Sequence, residues 1–242
     1  MSVKGILFDK DDTLIDLTEF WREPVERLAR FLSRSCGRES DEDLIARLEA
    51  SAGFAHGKII PESPVVAGTN RDIMNSCEQV LTSSGVSFDS ALFDAGLKYI
   101  AQACIQYGNI VPKADFASVL RRLKNQGIII GVATSDEHDP TMRCLRSLHI
   151  EQYIDVVLSA DCALRSKPSP DMAREFCRRC GLLPSEVIMV GDSANDMLFA
   201  KNSGLKGIWF ANGSDTRSLP PGTVFVLKAP EELLKLTGGR EN

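Results

Sequence analysis

Hydrophobic and polar positions follow two rhythms along this chain. The first apolar run, "VKGILFD", has the length of a buried strand and ends at Asp9. From about Asp16 to Tyr107 the spacing becomes helical. "EFWREPVERLARFLSRSCG" ends on Gly37, a C-cap residue, and "SDEDLIARLEASAG" opens on Ser40 or Asp41 with acids in its first turn. "NRDIMNSCEQVLTSSG" and "DSALFDAGLKYIAQACIQYG" keep the helical period. The Gly- and Pro-rich "HGKIIPESPVVAGTN", between the second and third of these segments, is expected to be a long loop.

After Pro112 the pattern alternates to the end of the chain. Helical "KADFASVLRRLKNQG", "DPTMRCLRSLHI", "SPDMAREFCRRCG" and "SANDMLFAKNSG" interleave with strand-like "IIIGVAT", "IDVVLS", "EVIMVG" and "KGIWF". "TVFVL" and "PEELLKLTG" close the series. Apolar strands alternating with amphipathic helices predict an α/β fold with a Rossmann-like parallel sheet covered on both faces. The first strand belongs with that sheet, so the helical run is an insertion. The expected division is a core of residues 1–15 and 113–242, with residues 16–112 as a helical cap.

Composition narrows the partners. Of 242 residues, 43% are apolar and 25% charged, as in ordinary globular proteins, and the formal net charge is -5. An acidic balance excludes the basic face that nucleic-acid binding needs. No apolar run approaches a membrane span and no secretory segment opens the chain. The expectation is a cytoplasmic protein with neither nucleic acid nor membrane as partner. Seven cysteines are scattered along the chain. "CRRC", Cys177 to Cys180, has no second pair to complete a zinc site and reads as free thiols on a helix.

Candidate chemistry sits at the strand ends, where open α/β sheets bind ligands. The first strand runs into "FDKDDTLID", with Asp9, Asp11 and Asp12 in four positions and a threonine next. The "IIIGVATSD" strand ends at Thr134 and Ser135, and the loop after "VVLS" carries Lys167. "VIMVGDSANDM" ends at Asp192, with Asp196 four residues on. Crowded carboxylates repel one another and resist desolvation, so a bound cation is expected to offset them. Mg²⁺ prefers a few carboxylates plus water and can clamp a phosphate. A carboxylate can attack phosphorus. A second carboxyl two residues along can protonate the leaving oxygen and later deprotonate water. Threonine and lysine can hold the phosphoryl oxygens.

"DKDDT", "VATS", "KP" and "GDSAND" occur in the order and context of the four motifs of the haloacid dehalogenase-like superfamily. The chain resembles its phosphoglycolate phosphatase-like branch, which carries a helical cap after the first motif. The resemblance implies Asp9 as nucleophile and Asp11 as acid/base. It implies Thr134, with Ser135 beside it, and Lys167 as phosphate-binding groups. It implies Mg²⁺ held by Asp9, Asp192, Asp196 and the backbone carbonyl of Asp11. The second acid, Asp11, argues for a phosphatase or phosphomutase over a dehalogenase. Asp12 departs from the pattern: the branch usually has glycine there, and Asp12 is expected at the turn where the chain leaves for the cap.

The leading expectation is a Mg²⁺-dependent phosphatase acting on a small phosphorylated metabolite such as phosphoglycolate. A mutase of the β-phosphoglucomutase kind would use the same core groups. A phosphonoacetaldehyde hydrolase would need a cap lysine, for which Lys58 is placed by location only. A receiver-like phospho-acceptor domain is disfavoured by the paired acids on strand one and by the helical insertion. In the cap, His56, Lys58, Asn70 and Arg71 flank or occupy the long loop, with His56, Lys58 and Arg71 the candidates for substrate specificity.

Overall fold

The computed structural model describes residues 3–162, 164–211 and 218–238. The chain divides into two compact units, Met1–Asp16 with Val111–Asn242, and Leu17–Ile110. Strand β1 (Gly5–Phe8) is followed by the elements of the second unit. These are α1 (Leu17–Ser35), α2 (Glu42–Ala52), the hairpin strands β2 (Phe54–Ala55) and β3 (Lys58–Ile59), then α3 (Pro64–Ala67), α4 (Asn70–Ser83) and α5 (Ser90–Tyr107). The first unit resumes with α6 (Phe116–Asn125), β4 (Ile129–Ala133), α7 (His138–Ser147) and β5 (Val156–Leu158). It ends with α8 (Asp171–Cys180), β6 (Val187–Gly191), α9 (Ala194–Ser203), β7 (Lys206–Phe210), β8 (Thr223–Leu227) and α10 (Leu233–Leu236).

The first unit is built on a six-stranded sheet of order β5-β4-β1-β6-β7-β8. Every pairing in it is parallel, with Ile6 opposite both Ile130 and Ile188. Alternation along β1 feeds two layers. Ile6 and Phe8 pack with Leu120, Val132 and Val190, while Leu7 packs with Phe176, Met189 and Phe199. A strand buried on both faces must be apolar at every position, as β1 is. The chain builds outward from β1 through β4 to β5, then crosses back to β6 and builds the other way. The reversal falls between β1 and β6, and open α/β sheets bind ligands beyond the carboxyl ends of the strands at such a point.

The second unit has its own apolar core, including Leu28, Leu32, Leu44, Leu48, Ile73, Leu81 and Ile100. Helices α2, α4 and α5 start on side-chain caps: Asp41 accepts from Leu44 N, Asp89 from Leu92 N, and Thr69 and Asp72 cap reciprocally. The structure corrects one expectation. The Gly- and Pro-rich segment is no plain loop but holds β3 and α3. His56 and Gly57, with φ of 50° and 73°, supply the left-handed pair that a tight hairpin requires, and Pro64 opens α3. Elements of two and four residues are too short to show a period.

The two passages of chain near the unit boundary are bonded to each other within the first unit. Asp16 N donates to Val111 O at 3.0 Å, and Lys113 N to Leu14 O at 3.0 Å.

Candidate active site

The groups at the sheet's carboxyl edge are held by the elements that precede them. Asp9 follows β1 directly and is tied to the neighbouring strand by its amide, which donates to Val190 O at 2.8 Å. Asp192 follows β6. Asp196 lies in the first turn of α9, where it forms a capping box with Ser193. One Asp196 oxygen accepts from Ser193 N at 3.1 Å and Ser193 Oγ at 2.6 Å; the other accepts from Lys167 Nζ at 2.6 Å. Its position as a helix-start acid therefore serves the site as well. Gly191 is needed for this fit, since a Cβ there would lie 2.5 Å from the Asp196 carboxyl.

Lys167 joins two strand ends, because its ammonium also donates to Asp9 Oδ1. Carboxylate oxygens of Asp9, Asp192 and Asp196 all come within 4.8 Å of one another, the metal-competent acid cluster found among the described residues. An all-oxygen donor set of this kind fits a hard cation. Thr134 is buried at the end of β4; its amide donates to Leu158 O and its hydroxyl accepts from Asp136 N at 3.1 Å. Ser135 next to it is exposed.

Electrostatics mark the cluster as costly without a counter-charge. Burial pushes the Asp9 carboxyl well above the usual carboxylate range; Lys167 opposes, and the charges of Asp196, Asp192 and Asp11 add to the rise. Burial also pushes Asp192 up to about 7, with Asp196 and Asp12 adding and the Thr13 hydrogen bond opposing. Burial works against the Lys167 charge, but Asp196 and Asp9 outweigh it and raise that group above the ordinary lysine range.

Three features of the site are invisible in the sequence motifs. Thr13, fully buried, donates from Oγ1 to Asp192 Oδ1 at 3.0 Å and so links the first motif to the last. Lys10, 2% exposed, places its ammonium 2.5 Å from Asp11 Oδ1 and 3.0 Å from Asp136 Oδ2. Lys113 pairs with Asp12 Oδ1 at 2.8 Å and Asp16 Oδ2 at 3.2 Å. The signal for Lys10 was present: it is the cation inside the acid run. A lysine between two acids reads as solvated until its burial is known. Asp12 itself has φ 55°, the left-handed region that glycine enters freely and aspartate tolerates.

Asp9, Thr134, Lys167, Asp192 and Asp196 therefore share the sheet's carboxyl edge, with Asp11 on the same loop as Asp9. Asp11 adds no carboxylate to the metal-competent group. The cap candidates belong to the second unit: His56 and Lys58 lie at the hairpin turn, and Arg71 lies on α4 with its guanidinium 5.3 Å from the Phe93 ring centre.

A family model of haloacid dehalogenase-like hydrolases matches residues 3–204. The chain belongs to that family. Among curated relatives, it is 27% identical to a pyrophosphatase PpaX of Bacillus velezensis over 98% of this chain and 97% of the relative. It is 25% identical to a phosphoglycolate phosphatase of Escherichia coli over 87% of this chain and 82% of that one. Both relatives carry phosphatase names. Among solved structures, a subfamily IA hydrolase of Geobacter sulfurreducens aligns with TM-score 0.67 at 17% identity, covering 98% of this chain and 97% of that one. CbbY of Rhodobacter sphaeroides, in complex with phosphate, aligns with TM-score 0.62 at 20% identity, covering 96% of each. Both share the α/β fold. No helix among the described residues is long and apolar enough to cross a membrane.

Proposed function

We propose that this protein is a Mg²⁺-dependent phosphatase of small phosphorylated metabolites that works through a phosphoaspartyl enzyme. The observation that carries the reading is the junction of Asp9, Asp196 and Lys167 beside Asp192, where the strand order reverses between β1 and β6. Asp9 attacks phosphorus and forms an aspartyl phosphate while the bond to the leaving oxygen breaks. Asp11 gives that oxygen its proton, then takes one from the water that hydrolyses the intermediate. Lys167 and the Thr134 hydroxyl hold the phosphoryl oxygens, and phosphoryl transfer needs little beyond such positioning and charge. Mg²⁺ bound by Asp9, Asp192 and Asp196, with the Asp11 carbonyl, would supply positive charge to the phosphoryl group.

Substrate choice we assign to the Leu17–Ile110 unit, with His56, Lys58 and Arg71 the first positions to vary. The names of the relatives make pyrophosphate and phosphoglycolate the first substrates to try. Seven free cysteines suit a reducing, cytoplasmic compartment. The test is phosphate release from both compounds and from a panel of sugar phosphates, with Mg²⁺ and with excess chelator. Release that chelator abolishes and Mg²⁺ restores supports the reading. Full activity in chelator overturns the metal assignment, and isomerised sugar phosphate without phosphate release overturns hydrolysis in favour of a mutase.

A further inference from the structure

Lys10 is a buried cation that neither the metal cluster nor the phosphate-binding groups use. Its residue is 2% exposed, yet its ammonium sits in a fork between two carboxylates, Asp11 Oδ1 at 2.5 Å and Asp136 Oδ2 at 3.0 Å. Burying a lysine is costly, and an apolar side chain of similar volume usually packs at least as stably as a buried ion pair. The geometry points to what the pair holds in place. Asp11 leaves the loop after β1, and Asp136 leaves the loop after β4, two residues beyond Thr134. Asp136 is anchored in turn, because its amide donates to the Thr134 hydroxyl at 3.1 Å. Lys10 therefore ties one oxygen of Asp11 to the segment that carries the phosphate-binding threonine.

We infer that Lys10 is a positioning residue for the acid/base: through its bridge to Asp136 it fixes the Asp11 carboxyl relative to Thr134, so that the proton reaches the leaving oxygen of a phosphate held there. The inference rests on the phosphatase reading above. A carboxylate that wanders by about 1 Å from its productive geometry can cost about 10²-fold in rate. In the phosphorylation step the loss falls on substrates that need protonation and spares those that do not.

The experiment compares Lys10→Met with wild type on an alkyl phosphate and an aryl phosphate, alone and combined with Asp11→Asn. In single-turnover measurements Lys10→Met is expected to slow phosphoenzyme formation from the alkyl phosphate by about 10²-fold and from the aryl phosphate much less, while hydrolysis of the phosphoenzyme, common to both, slows equally. In the Asp11→Asn background it should cost nothing further, because the group it positions is gone. Lys10→Arg, which keeps charge and donors, should recover part of the loss. Asp136→Asn, at a half-exposed side chain, tests the same bridge without a change in the core. It should show the same alkyl-over-aryl selectivity at smaller size, and it decides the matter if Lys10→Met does not fold. Equal losses in the rate of phosphoenzyme formation from both substrates, or an undiminished Lys10→Met loss without the Asp11 carboxyl, overturn the inference alone. A folded wild type that hydrolyses neither phosphate overturns the phosphatase reading and this inference with it.

Discussion

The two units of this chain differ in how they bury charge. In the Leu17–Ile110 unit, charged side chains form exposed pairs along helices: Arg27 with Glu23, Arg30 with Glu26 and Arg47 with Asp43. Its interior is apolar, from Leu28 on α1 to Ile100 on α5. In the sheet-bearing unit, Asp9, Lys10, Asp196 and Thr134 are buried, and the Lys167 side chain is 5% exposed. Exposed pairs contribute about 0–1 kcal/mol each and fix little. Buried ions cost more than they return in stability and persist where chemistry needs them. The contrast separates a unit whose residues were arranged for packing from one in which packing holds a reactive cluster.

The largest expected effect tests that separation at its centre. Asp9→Asn removes the nucleophile and should abolish both turnover and the hydroxylamine-labile phosphoprotein trapped by a rapid acid quench. Asp11→Asn keeps the nucleophile, so the phosphoprotein should still form from an aryl phosphate while alkyl turnover falls by about 10²–10⁴-fold. A phosphoprotein that survives Asp9→Asn would move the nucleophile elsewhere.

The packed unit should respond through stability. Leu48 is fully buried on α2, and Leu48→Ala should destabilise by about 2–5 kcal/mol in urea unfolding, through lost contacts and the cavity left behind. Arg30, half-exposed beside Glu26 and Glu42, should cost no more than about 0.5 kcal/mol as Arg30→Ala. A large loss from Arg30→Ala would erase the distinction drawn between the two units.

The two units also differ in how far their sequence can be read. The sheet unit repeats one rule, apolar strand then polar group, so Asp9, Thr134, Asp192 and the Lys167 loop stand out at the strand ends. What escapes is contact between distant segments: Thr13 to Asp192, and Lys10 to Asp136, depend on a fold that brings loops together across the sheet edge. In the helical unit the period reveals α1, α2, α4 and α5 but not the two-residue strands of the hairpin or the one-turn α3. His56 and Lys58 read as loop residues for that reason. Their surroundings are set by backbone turns, with His56 at φ 50°, rather than by any repeating pattern.

A pH prediction probes the buried cluster further. The Asp192 carboxyl, pushed up to about 7 by burial and its acidic neighbours, keeps a proton that the unfolded chain has already released. Such a group stabilises the metal-free fold below the unfolded carboxylate pKa of about 3.9, and the contribution is lost as pH rises toward the folded value. Cation binding runs the other way, because ligands must give up their protons. The Mg²⁺ concentration for half-maximal activity should be steady above that folded value and rise about tenfold per pH unit below it, for one displaced proton. Mg²⁺ titrations on both sides of it check the slope. A midpoint independent of pH would mean that the cluster binds its cation without displacing a proton from Asp192.

A small effect is also expected at Asp12, which belongs to the acid run by sequence. Its carboxylate pairs with Lys113, which also holds Asp16, and its backbone takes the left-handed turn at φ 55°. Asp12→Gly relieves a left-handed residue, worth about 1–2 kcal/mol for residues with a side chain. The same change removes a partly buried ion pair, worth about 0–1 kcal/mol because Lys113 keeps Asp16 as a partner, and adds unfolded-state freedom worth about 0.4–1 kcal/mol. The terms nearly cancel, so stability should shift by less than about 1 kcal/mol. Turnover should change by less than about tenfold, short of what loss of an acid/base costs. The decisive reading is again the Mg²⁺ midpoint, measured well above the Asp192 value so that protons do not intrude. If Asp12 serves the turn, the midpoint stays where it is in wild type. If it serves the cation, the midpoint rises sharply while turnover at saturating Mg²⁺ recovers, and Asp12 would then join Asp9, Asp192 and Asp196 in the buried cluster.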